Sequence, residues 1–214
     1  MTGSVVQPAE PFDDTSQQRE AATLGMWAFL ATEVLFFGVL FAAYTVMRLL
    51  HPDAFAAGSR HTDLMLGTAE TGMLLLSSFT AALAVRDVQV GAARRAAVLL
   101  FTTALLGACF LAVHAAEYHA DYRAGVIPGI RYDEVGAIAG PQQMFFLLYY
   151  VTTAFHGLHV TVGVILLGLM ARRVRRGVYP PEGYWPVDIA VLYWHLVDIV
   201  WIFVFPLYYL VSRA

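Results

Sequence analysis

The chain has 214 residues, 59% of them hydrophobic and 14% charged, with a net charge of −3. That is too apolar and too sparsely charged for an ordinary soluble domain. The small negative charge gives no electrostatic reason for a nucleic-acid partner, and none is expected.

Residues 1–20 are polar and acidic, carrying Glu10, Asp13, Asp14 and Glu20. They lack the basic start and short apolar run of a secretory signal, and the composition predicts a surface tail. Residues 21–214 are expected to form one membrane domain. Long apolar runs fall at roughly 22–50, 64–85, 96–118, 142–171 and 186–212. Each is long enough to cross about 30 Å of hydrocarbon as a helix. The runs are continuous rather than alternating, which excludes a barrel. The predicted fold class is all-α, a polytopic bundle of five transmembrane helices. The first, fourth and fifth spans are over-long and should tilt or project.

The connections read as loops. His51-Pro52-Asp53 opens the first, and the third, about 119–141, is the longest and is rich in Gly and Pro. Every fixed cation is an arginine. Arg19, Arg86, Arg94, Arg95, Arg172, Arg173, Arg175 and Arg176 fall on one side of the predicted topology. Arg48, Arg60, Arg123, Arg131 and Arg213 fall on the other. The positive-inside rule then predicts a cytoplasmic N-terminus and a periplasmic C-terminus. The single cysteine, Cys109, lies in the third run and is expected to be a small buried hydrophobe. Alone, it excludes an intrachain disulfide.

Ionisable groups inside hydrocarbon are costly, so each is a functional candidate. They are Glu33, Glu70, His114, Glu117, His156, His159, His195 and Asp198. Glu33 sits midway along the first span with no arginine within a turn. It is expected to be either held protonated or hydrogen-bonded from another helix, serving packing, proton relay or a lipid cleft. His114/Glu117, His156/His159 and His195/Asp198 share i,i+3 spacing and so lie on common helix faces. That spacing invites a di-iron carboxylate site, but the Glu-x-x-His order such sites use is absent. The pairs also fall at different depths along their spans. They are therefore expected to be an inter-helix polar network with Glu70, with no metal site and no catalytic residue. Gly157, Gly163, Gly168 and Ser77-Ser78 suit close helix packing. Aromatics crowd the last span; those at its ends, Tyr208 and Tyr209 among them, suit an interfacial belt. Trp194 and Trp201 share a face and are expected to contact lipid or pack.

Several segments carry a family resemblance. They are Thr32-Glu33-Val34-Leu35-Phe36-Phe37, Leu74-Leu75-Leu76-Ser77-Ser78, Ala116-Glu117-Tyr118, Phe155-His156-Gly157-Leu158-His159-Val160 and Tyr193-Trp194-His195-Leu196-Val197-Asp198-Ile199-Val200-Trp201. In this order, across residues 25–205, they resemble the signatures of subunit III of cytochrome c oxidase, a haem–copper oxidase. The resemblance implies a non-catalytic subunit of a terminal respiratory oxidase in the bacterial inner membrane. Haem and copper would lie in partner subunits, and the chain would pack with subunit I and subunit II. It would bind phospholipid, support proton uptake and protect the oxidase from turnover inactivation. Such a complex reduces O2 to water in aerobic electron transport, coupled to proton pumping. Glu33 would match the family's buried, carbodiimide-reactive carboxyl. Longer members have seven helices, and the first two have no counterpart here. Five-helix forms occur in quinol oxidases and beside nitric oxide reductase. His114 stands where many members have Gln. The alternatives are a quinol oxidase subunit III, a nitric oxide reductase companion, a membrane di-metal enzyme and a small proton-coupled transporter.

Overall fold

The computed structural model describes residues 10–133 and 135–211. Residues 1–9 of the polar tail, and Arg213 of the arginine tally, lie outside them.

The first long helix, α1, runs Thr15–Leu50. It starts inside the segment expected to be a tail. The cause is local: Asp14 is the N-cap, its carboxylate accepting from the Gln17 amide at 2.7 Å. That backbone bond holds the exposed Asp14 carboxyl below its ordinary range. Within its span, α1 buries Leu30, Phe37 and Tyr44, one residue every two turns. Much of the remaining surface stays open, with Leu24, Trp27, Val34, Leu35, Val39, Val46 and Leu49 exposed.

The first predicted loop is a helix, α2, Pro52–His61. Proline at its first position costs no hydrogen bond there. Gly58 is obligatory, since a Cβ would lie 2.4 Å from the Phe145 ring. Asp63 then caps α3, Leu64–Gln89, accepting from the Met65 and Leu66 amides. Helix α4 covers Ala93–Ala124 and stops at Gly125, whose left-handed φ of 72° suits glycine. The third predicted loop is shorter than expected. It holds a small antiparallel hairpin, β1 (Val126–Ile127) and β2 (Arg131–Tyr132).

Helix α5 runs Ala139–Arg175 and α6 runs Trp185–Phe205. The last predicted span is therefore not one uninterrupted α-helix. Pro206 has no amide proton to continue the ladder, and Pro206–Leu210 widens into a π turn. Within the turn Tyr208 and Tyr209 lie in the core, fully buried. They do not join the interfacial belt their position suggested.

Among the described residues, five helices are long and apolar enough to cross a membrane: α1, α3, α4, α5 and the stretch Trp185–Leu210. The protein is an all-α polytopic membrane protein. Helices α3, α4, α5 and α6 pack as a closed ring, and α1 lies outside against α5 and α6. The most apolar stretch of α1 is 11% buried, against 56% for the last span. Cys109, expected inside, is exposed on the outer face of α4. At one end of the bundle the Arg19 guanidinium sits 5.7 Å over the Tyr184 ring. A Cβ on Gly91, between α3 and α4, would stand 3.6 Å from Pro181 there.

Candidate functional site

The candidate polar residues do not form one network. The first group joins α3 to α4. Glu70 is completely buried, and its Oε1 lies 3.3 Å from His114 Nδ1. Glu117 Oε2 lies 3.5 Å from the same nitrogen. The Tyr209 hydroxyl donates to Glu117 Oε2 at 2.7 Å, and Tyr149 shares a 3.1 Å bond with Tyr209. Tyr209 reaches this point from within the π turn at Pro206.

The second group joins α1 to α5. Glu33 Oε2 lies 3.0 Å from His159 Nε2, with side-chain exposures of 16% and 17%. His159 Nδ1 lies 2.7 Å from the Phe155 carbonyl. A carbonyl only accepts, so Nδ1 carries a proton. One further proton must then lie between Nε2 and the carboxyl, whichever atom holds it.

A third group joins α3 to α6. The Ser78 hydroxyl is 2.8 Å from His195 Nδ1. Asp198, also buried, lies within electrostatic range of that hydroxyl but without hydrogen-bond geometry. His156 stands apart from its i,i+3 neighbour His159. It is buried without a hydrogen-bond partner, stacked 5.2 Å from Trp201 and edge-on to Phe110. The three i,i+3 pairs thus turn to separate places and do not face one another as a dinuclear ligand set.

Trp194 and Trp201 do not touch bulk lipid, since both are fully buried. Trp194 donates Nε1–H to Ser77 Oγ, and Trp201 donates to Thr71 Oγ1, each at 3.0 Å. The Trp194 ring fills gaps left by two glycines. A Cβ on Gly107 would meet it at 2.5 Å, and one on Gly163 at 2.6 Å. Gly157 and Gly168 make no comparably close approach.

Sequence reasoning missed the tyrosines. Tyr118 bonds Thr153, Tyr150 donates to Asp121, Tyr208 bonds Thr152, and Tyr44 donates to the Leu207 carbonyl. Their signal was Tyr149-Tyr150 and Tyr208-Tyr209 beside spans that also carry buried acids. A buried phenol needs a partner, and these spans supply one.

A groove of about 690 Å³ opens between α4 and α5 at the arginine-rich end. Arg94, Arg172 and Arg175 stand at its mouth over Val98, Phe101 and Leu169.

The profile of the family "Cytochrome c oxidase subunit III" matches residues 12–213. Among curated relatives, cytochrome c oxidase subunit 3 of Thermostichus vulcanus is 34% identical over 94% of this chain and 92% of its own length. Quinol oxidase subunit 3 of Bacillus spizizenii is 31% identical over 94% and 93%. Cytochrome bo(3) ubiquinol oxidase subunit 3 of Pseudomonas putida is 32% identical over 90% and 87%. With the five apolar helices, and with the quoted segments lying on α1, α3, α4, α5 and α6, these matches assign the chain to a family: it belongs to the cytochrome c oxidase subunit III family.

Proposed function

We propose that the chain is the non-catalytic subunit III of a terminal haem–copper oxidase in a bacterial inner membrane. Subunits I and II would carry the haem and copper. The observation that carries this reading is the length of the match. Relatives named subunit 3, of cytochrome c and of quinol oxidases alike, align over nearly the whole chain. The same subunit architecture would thus serve complexes with either electron donor.

The Glu33–His159 pair supports a partner on the α1 side. A polar pair left partly open to hydrocarbon is costly. A partner helix laid along α1 and α5 would close it, and the exposed apolar flank of α1 offers the surface. We place subunit I there. The arginine groove between α4 and α5 has the chemistry of an anionic phospholipid site, with cations at the headgroup level and an apolar wall for the acyl chains.

Two experiments test this reading. Tagged chain should co-purify with haem-bearing subunits from its native membrane, while the chain purified without partners shows no haem absorbance. Haem retained at one per isolated chain would overturn the non-catalytic assignment. The second test concerns topology. The cluster Arg172, Arg173, Arg175 and Arg176 argues for a cytoplasmic α5–α6 connection. An Arg175→Cys variant on a Cys109→Ala background should resist an impermeant thiol reagent in intact cells and react in inverted vesicles. Labelling in intact cells would reverse the whole orientation.

A further inference from the structure

We propose that Glu70, His114 and Glu117 form a binding site for one divalent cation of the zinc type, clasping α3 to α4 inside the bundle. The site is separate from any haem or copper of partner subunits and does not depend on the subunit assignment.

The first observation is the spacing. One His114 ring nitrogen stands 3.3 Å from a Glu70 oxygen and 3.5 Å from a Glu117 oxygen. A single nitrogen carries one proton at most and cannot donate well to both. Both separations also exceed the roughly 2.7–2.9 Å of a charge-assisted bond. They do match a coordination polyhedron: ligands about 2.0–2.1 Å from a shared tetrahedral zinc ion stand roughly 3.3–3.4 Å apart. One donor atom from each of the three residues can be chosen so that all lie within 4.8 Å of one another.

The second observation is unmet demand. All three side chains are buried. Glu70 Oε2 and Glu117 Oε1 have no hydrogen-bond partner. Two carboxylates in a low-dielectric interior call for positive charge. A dication balances them exactly in number, with the imidazole as a neutral ligand. The two free oxygens can complete the coordination, with or without a water in the fourth position. Two carboxylates and an imidazole suit zinc, whereas calcium and magnesium favour oxygen alone.

The third observation is the support around the ligands. Tyr209 donates to Glu117 Oε2 and is itself bonded to Tyr149. Outer hydrogen bonds of this kind orient ligating carboxylates. Phe110 stacks on the His114 ring, with Trp201 edge-on at 5.8 Å. Through Tyr209 the ion would also tie the π turn to α4. No sequence spacing disclosed the set, because Glu70 comes from a different helix.

The test uses the full chain in detergent, stripped with a chelator and titrated with Zn2+ against a chromophoric competitor. One equivalent should bind and raise the melting temperature. Glu70→Gln, His114→Gln and Glu117→Gln should each weaken binding at least tenfold and abolish that rise. His119→Ala, outside the site, should change neither. X-ray absorption at the zinc edge of the wild type should show oxygen and nitrogen neighbours near 2.0 Å, including one imidazole. That spectrum is independent of whether any variant folds. No bound equivalent, unchanged affinity in the three site variants, or a sulfur neighbour from Cys109 would overturn the proposal.

Discussion

Glu33→Gln is expected to leave the assembled oxidase at near-normal initial turnover, whereas Glu33→Ala shortens its working life. The difference follows from the proton between Glu33 and His159. His159 Nδ1 is committed to the Phe155 carbonyl, so the pair needs one shared proton at Nε2 to make its 3.0 Å bond. A glutamine amide supplies that proton from its own N–H. It is nearly the same size as the acid and leaves α1 attached to α5. Alanine supplies nothing and leaves His159 facing a gap, a loss of about 1–3 kcal/mol. Helix α1 buries few residues of its own, namely Leu30, Phe37 and Tyr44. Its detachment would loosen the contact with the rest of the complex. The measurement is oxygen consumption followed to inactivation, beside a stoichiometry of the purified complex. A proton relay through Glu33 would instead make Glu33→Gln slow from the first turnover, because an amide cannot pass a proton on. A large initial loss in a fully assembled Glu33→Gln complex would decide for the relay and against the structural role.

Trp194→Ala is expected to be the most damaging single truncation in the ring. The indole fills the gaps that Gly107 and Gly163 leave on α4 and α5, and it is completely buried. Removing a buried ring of this size costs about 3–5 kcal/mol, since close-packed neighbours relax only partly. Ser77 also loses the indole N–H at 3.0 Å. In a bilayer such packing is a main force between helices. Trp194→Phe keeps most of the volume and loses the hydrogen bond, so it should cost less, on the order of 1–2 kcal/mol. Unfolding of the purified chain by a denaturing detergent would rank the two. A loss below about 1 kcal/mol for Trp194→Ala would show that lipid or rearranged helices refill the site.

The five spans are legible in the sequence because membrane insertion is a one-dimensional property of length and hydropathy. Family membership is legible because its signatures sit in short contiguous segments. Much of the rest is not local. Leu30, Phe37 and Tyr44 are indistinguishable by composition from the exposed Leu24 and Trp27 on the same helix, so the buried stripe of α1 is set by its neighbours. Asp14 lies in a polar, tail-like stretch, yet its carboxylate begins a helix. Pro52 signals a loop by composition, yet it occupies a helix's first position. Pairing of Glu33 with His159, and of Glu70 with His114, spans 126 and 44 residues of chain. Spacing rules cover partners one turn apart, so they pair His156 with His159, although His156 packs on Trp201 and Phe110 while His159 meets Glu33 and Phe37. Pro206 hid most. It opens a π turn, and within that turn Tyr208 and Tyr209 lie in the core rather than at the membrane boundary.

The uneven burial of the spans bears on biogenesis. A ribosome delivers α1 first and the last span last. The first to arrive is the one least committed to its own chain, with its apolar flank open while the others are still being made. The last to arrive carries Trp194, Trp201 and Tyr209, which close the gaps among α3, α4 and α5. Docking onto a partner could therefore begin along α1 during synthesis, while the ring stays incomplete until the last span is made. A nascent chain stalled before residue 185 would present the open flank of α1 without the wedge that locks the others together.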